Sequence, residues 1–139
     1  MNNRYIFRGK GNPKYNDGEW YYGYLTYDGS DYQIVDSEYG SCKRTVIPET
    51  VGQSTGLKDK NGKLIFKGDV VESRASENKE DWKKWIVTFF DGSFCFEREI
   101  PRKRKHKYEQ NLLCVDEIEL YGLTIVGNIH DDKLLEVER

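Results

Sequence analysis

The sequence predicts a mainly β protein of antiparallel hairpins, and three features carry that reading. Apolar residues fall in short β-branched or aromatic runs, the runs are bounded by Gly, Asn and Asp, and their spacing is that of strands rather than of amphipathic helices. The runs lie at residues 5–8, 20–27, 32–36, 44–47, 64–66, 70–73, 85–90, 94–98 and 123–129.

Taken in order, Asp28-Gly29 between the second and third runs marks a hairpin that opposes Leu25 to Tyr32. The segment from residue 51 to 71 organises the middle of the chain. A two-residue Asn61-Gly62 loop there would place Lys60 opposite Lys63, and like charges disfavour that pairing. A type I turn starting at Asp59, with Gly62 left-handed and a bulge, instead pairs Asp59 with Lys63 and Leu57 with Ile65.

The sharpest hairpin is Trp85-Ile86-Val87-Thr88-Phe89-Phe90-Asp91-Gly92-Ser93-Phe94-Cys95-Phe96, because Asp91-Gly92 suits a type I′ turn whose length fixes the register. Phe90 then meets Ser93, Phe89 meets Phe94, Thr88 meets Cys95 and Val87 meets Phe96. Val87, Phe89, Phe94 and Phe96 share one face, the expected core, while Cys95 lies half-buried on the other. Residues 74–81 and 101–110 are polar and aperiodic, so they read as loops. Helix is scarce: residues 115–121 fit a helical turn or a strand, and residues 131–136 a short terminal turn.

At 139 residues the chain has room for one core or two small subdomains. Charged residues make up 33%, but ten Tyr, six Phe and three Trp argue against disorder. The net charge of −2 gives no global attraction to nucleic acid or anionic membrane, so any such binding must be local. Cys42, Cys95 and Cys114 are odd in number and widely spaced, which suits free thiols in a reducing compartment. With no signal-like N-terminus and no apolar run approaching a span of about 20 residues, a cytoplasmic protein is expected.

Two patterns could carry binding. Trp20, Tyr21, Tyr22 and Tyr24 form an aromatic strand, with Tyr27 and Tyr32 nearby, and alternation would bury half of these rings and expose the rest as a partner-binding surface. Ordinary strand packing is the plainer account of them. Arg102, Lys103, Arg104, Lys105 and Lys107 form a basic stretch that could neutralise phosphates of nucleic acid, although a solvated loop tip explains it as simply. His130-Asp131-Asp132 reads as a surface turn rather than a metal site, since convergent ligands are missing. Gly52-Gln53-Ser54-Thr55-Gly56 lacks the Gly-Lys-Ser/Thr that completes a P-loop. Ser54, Ser93 and Cys42 lack a readable His and acid constellation, so no catalytic residue, metal or cofactor is expected.

The run Gly52-Gln53-Ser54-Thr55-Gly56-Leu57-Lys58-Asp59-Lys60-Asn61-Gly62, continuing through Ile65 to Gly68-Asp69-Val70-Val71, resembles the YopX family of phage and prophage proteins. The Asp91-Gly92 hairpin, the ending Ile125-Val126-Gly127-Asn128-Ile129-His130 with Leu134-Leu135, and the opening Tyr5-Ile6-Phe7-Arg8 and Trp20-Tyr21-Tyr22-Gly23 extend the likeness over nearly the whole chain. The resemblance implies a small β-rich protein of a phage, prophage or mobile element, working in a bacterial cytoplasm with no established enzymatic activity and no catalytic residues.

The expected architecture is an N-terminal β subdomain over residues 1–50 and an SH3-like or partly open β-barrel over residues 51–139. Its expected role is that of an accessory protein binding a host or phage protein through the aromatic face or exposed strand edges, and not an enzyme. Nucleic-acid binding through the basic stretch is the alternative. Self-association through the edges is a further arrangement open to it, and no membrane partner is expected.

Overall fold

The computed structural model describes residues 5–36, 42–73, 77–79, 82–90, 92–98, 112–114 and 122–131. Among these the chain forms β1 (Phe7–Lys10), β2 (Trp20–Tyr27), β3 (Tyr32–Asp36), β4 (Lys43–Thr45), β5 (Gly52–Lys58), β6 (Leu64–Phe66), β7 (Asp69–Ser73), β8 (Lys83–Phe90), β9 (Ser93–Arg98), β10 (Leu112–Cys114) and β11 (Thr124–Asn128), with a 3-10 turn at Pro48–Thr50. The protein is mainly β, as the apolar runs predict, with sheets ordered β4-β3-β2-β1-β5-β6 and β10-β9-β8-β7-β11. It divides into two units, Met1–Gly56 and Leu57–Arg139, and β5 runs through the boundary.

In the first unit β1 is central. It pairs antiparallel with β2, Phe7 opposite Gly23 and Lys10 opposite Trp20, and with β5, Phe7 opposite Gln53. The β2–β3 hairpin corrects the expected register: Leu25 faces Ile34, and Tyr27 faces Tyr32. The cause is the Asp28 carboxylate, which accepts the N–H groups of Ser30 at 2.9 Å and Asp31 at 2.7 Å, while the Asp28 N–H donates to the Asp31 carbonyl. That arrangement builds a four-residue loop instead of a two-residue turn. Because the shift is by two residues, every side chain keeps its face.

Ile34 and Val46 are the most buried apolar side chains of this unit. Val46 packs directly on Gly9, where a Cβ would lie 2.9 Å from three Val46 atoms, so a side chain there would displace the core. The Thr45 carbonyl, on the strand that ends the sheet, accepts the Asn12 N–H at 2.9 Å and the Asn16 Nδ2 at 2.8 Å, and the Asn16 Oδ1 accepts the Gly18 N–H. Asn16 thus pins the long β1–β2 connection to β4. Asn16→Ala is expected to lower stability by about 1–2 kcal/mol in urea denaturation, the cost of two side-chain hydrogen bonds in a partly buried setting.

In the second unit Ile65, Val71, Trp85, Val87, Phe96 and Leu123 form one buried cluster, with Leu57 and Ile125 packed against it. The β8–β9 register matches the expectation at all four pairs, from Phe90 opposite Ser93 to Val87 opposite Phe96. The expected core face is only half core. Val87 and Phe96 are each 1% exposed, whereas Phe89 is 50% exposed and meets Phe94 edge to face with centroids 5.1 Å apart. Val87 and Phe96 belong to the buried cluster, whereas the pair nearest the turn, Phe89 and Phe94, lies outside it. Cys95 is buried rather than half-buried, and its Sγ lies 3.4 Å from the Ser93 Oγ.

The turn at Asp59 follows the charge argument: the Asp59 N–H donates to the Lys63 carbonyl at 2.8 Å, the Gly62 N–H donates to the Asp59 carbonyl, and Gly62 takes a φ of 82°. Strands β5 and β10 go beyond the runs read from sequence. The stretch Gly52-Gln53-Ser54-Thr55-Gly56, which holds no apolar run, is strand. Ser54 is fully buried there, and its Oγ accepts the Gly56 N–H. Residues 101–110 and 115–121, with most of 74–81 and 131–136, lie outside the described residues.

A candidate protein-interaction surface on strand β2

Alternation along β2 puts Trp20, Tyr22, Tyr24 and Thr26 on one face and Tyr21, Gly23, Leu25 and Tyr27 on the other. Tyr22 and Tyr24 are 50% and 43% exposed, while Trp20 is half-buried. Arg8, directly opposite Tyr22 on β1, is buried, and its guanidinium carbon lies 4.9 Å from the centre of the Trp20 ring. The cationic guanidinium on the indole face holds that ring in place. Trp20, Tyr22 and Tyr24 therefore form one row, and the structure separates Tyr21 from it.

Tyr21 supports the sheet from behind. Its hydroxyl donates to the Asp17 carboxylate, and the Arg44 guanidinium lies 5.3 Å from its ring centre. The hydroxyl bond from Tyr21 and the backbone N–H of Glu19 hold the Asp17 carboxyl below its ordinary range, and the same bond raises the Tyr21 hydroxyl. On Tyr21's face, at the far end of the hairpin, Tyr27 and Tyr32 pack with centroids 4.8 Å apart and remain exposed. Sequence reasoning placed these aromatic residues on one strand but did not say which rings stand in solvent, and it missed the buried Arg8 against the Trp20 ring. The signal for Arg8 was its place in the strand run next to an aromatic-rich partner strand.

Arg102, Lys103, Arg104, Lys105 and Lys107 lie outside the described residues. The His130-Asp131 part of the acidic turn is held by the Asn128 Oδ1, which accepts both backbone N–H groups. Among the described residues no group of three or more His, Cys, Asp or Glu converges on a metal position, and no helix is long and apolar enough to cross a membrane.

These features define a small protein of two antiparallel sheets, with exposed tyrosines on a strand hydrogen-bonded on both sides. The chain belongs to the YopX protein family, whose model matches residues 7–136, nearly its full length. That is not a known enzyme family. No curated protein matches the chain.

Proposed function

We propose that this is a phage- or prophage-encoded accessory protein that acts in the bacterial cytoplasm by binding a protein partner through the outer face of β2. The observation that carries the reading is the exposure of Tyr22 and Tyr24 on one face of a strand hydrogen-bonded on both sides. Tyrosine offers a large apolar ring and a polar tip at low conformational cost, which makes it a frequent interface anchor, and a strand presents it more rigidly than a loop. Membership of the YopX family supports the phage association.

The test is an affinity pull-down from host cells during prophage induction, with and without nuclease, comparing the wild type with the Tyr22→Ala/Tyr24→Ala double variant. The double variant is expected to lose at least about tenfold in partner retention, the scale of two interface anchors, with a stability change below about 1 kcal/mol. Partners retained equally by both proteins would sink the proposal. Partners that all vanish on nuclease treatment would point instead to nucleic acid on the Arg102 to Lys107 stretch.

A further inference from the structure

Sheet register brings together two cysteines that lie far apart in the sequence. Strand β10 pairs antiparallel with β9, Leu112 opposite Glu97, Leu113 opposite Phe96 and Cys114 opposite Cys95. The pleat puts directly opposed residues on one face, so both cysteines share a face at the β10 end of the β10-β9-β8-β7-β11 sheet. The kind of pair they make follows from β8. The Val87 carbonyl accepts the Gly68 N–H at 2.8 Å on the β7 side, so the backbone groups of the next residue, Thr88, turn towards β9. Cys95, opposite Thr88, directs its own N–H and C=O back at β8, which leaves Cys95 and Cys114 as a non-hydrogen-bonded pair. Pairs of that kind hold their Cα atoms about 4.5 Å apart, the closer of the two antiparallel spacings. Disulfides span Cα separations of about 4.4–6.8 Å, so the two strands need not move to be joined.

We propose that Cys95 and Cys114 are a reversible dithiol, oxidised to a cross-strand disulfide by a low-molecular-weight disulfide of the glutathione type. One thiolate attacks the small disulfide, forms a mixed disulfide and releases one small thiol. The second thiolate attacks the protein sulfur of the mixed disulfide, forms the Cys95–Cys114 bond and releases the other. Two electrons pass from the cysteine pair to the small disulfide, and the two cysteine protons are balanced by those on the released thiols. Cys95 carries a thiol in the structure, the state that a reducing cytoplasm maintains, and disulfides formed in that compartment are usually transient and redox-sensing. The Ser93 Oγ, 3.4 Å from the Cys95 Sγ, is a hydroxyl within reach of the sulfur and able to stabilise its thiolate. Cys42, exposed just before β4, has no cysteine across from it in the described registers. The bond ties the end strand β10 to β9 and closes a ring over residues 96–113, which contains Arg102, Lys103, Arg104, Lys105 and Lys107. Closing that ring removes conformations from the unfolded chain, so the oxidised protein is the more stable form.

The test uses the full chain carrying Cys42→Ser, which leaves both members of the pair in place and changes only an exposed residue. The protein is equilibrated over a range of ratios of oxidised to reduced glutathione, the remaining thiols are alkylated, and its peptides are mapped by mass spectrometry without reduction. The expected product is a single intramolecular link, Cys95 to Cys114, that dithiothreitol reverses. Its equilibrium constant in the folded chain should exceed that in urea by at least about tenfold, because the register already holds the two positions at bonding range. The same coupling should raise the melting temperature of the oxidised protein by about 5 °C or more over that of the reduced one. A further Cys114→Ala change should abolish the link and the shift together. Cysteines that stop at separate glutathione adducts, a link formed between chains, or a link that forms as readily in urea as in the folded protein would each overturn the inference. A melting temperature unchanged by oxidation would do the same.

Discussion

Phe96→Ala is expected to destabilise the second unit by about 3–5 kcal/mol, the loss of a buried aromatic ring together with the cavity it leaves. Phe96 is 1% exposed and packs in the cluster with Ile65, Val71, Trp85, Val87 and Leu123, all buried. It faces Val87 across the β8–β9 hairpin, so its removal opens the middle of the core rather than a margin. A domain of this size is held by about 5–15 kcal/mol in total, so the variant should unfold at markedly lower urea. Trp85, in the same cluster, provides a fluorescence signal for the transition. Phe89→Ala is the control. It removes the same side chain from the same face two residues along the hairpin, but Phe89 is half exposed and its main contact is Phe94, so the cost should stay below about 1.5 kcal/mol. Equal losses for the two variants would show that the tip pair is as much a part of the core as the base.

That contrast marks what a sequence can and cannot say about this fold. The Asp91-Gly92 turn fixes register because the side-chain period of a strand is two, so every pair from Phe90 opposite Ser93 inward was legible. What packs against each pair is a tertiary quantity, and it decides that Val87 and Phe96 are buried while Phe89 is not. The β2–β3 hairpin went astray for a different reason. Asp28-Gly29 has the composition of a two-residue turn, but the Asp28 carboxylate captures Ser30 and Asp31 and lengthens the loop. Faces survived because the shift was even, so the division of β2 into Tyr22 and Tyr24 on one side and Tyr21 on the other was readable, though not which side was exposed. Strand β5 was hidden by its glycines and hydroxyls, which look like a loop until the Ser54 N–H is seen to donate to the Ile6 carbonyl at 2.9 Å. Its pairing depends on residues nearly fifty positions away, and no local pattern records that.

The turn at Asp59 was legible in its register and hidden in its reach. Charge repulsion between Lys60 and Lys63 selects the bulged turn, yet nothing local indicates that the Asp59 Oδ2 accepts the Ile125 N–H at 3.0 Å while its Oδ1 accepts those of Asn61 at 2.9 Å and Lys63 at 2.8 Å. With the Lys60 N–H donating to the Leu123 carbonyl at 2.8 Å, the turn satisfies the start of β11 and covers polar groups that would otherwise form an open strand edge. Asp59 is 7% exposed, so replacing it strands three donors in a site with little water. Asp59→Ala should therefore cost about 3 kcal/mol, and Asp59→Asn nearly as much, because its amide nitrogen must face one of the N–H groups. Burial works against the carboxylate, but the N–H groups of Ile125, Lys63 and Asn61 and the Lys63 charge outweigh it and hold Asp59 below its ordinary value of 3.8. A carboxyl depressed by folding contributes stability that is fully present above its unfolded pKa and is lost as pH falls through the folded one. The gap in melting temperature between wild type and Asp59→Asn should accordingly stay constant from about pH 7 to about pH 5, begin to narrow near the ordinary carboxylate pKa and continue to close below it. Thermal melts followed by circular dichroism across that range provide the measurement. A gap that persists unchanged to about pH 2 would mean that the carboxylate charge plays no part in holding β11.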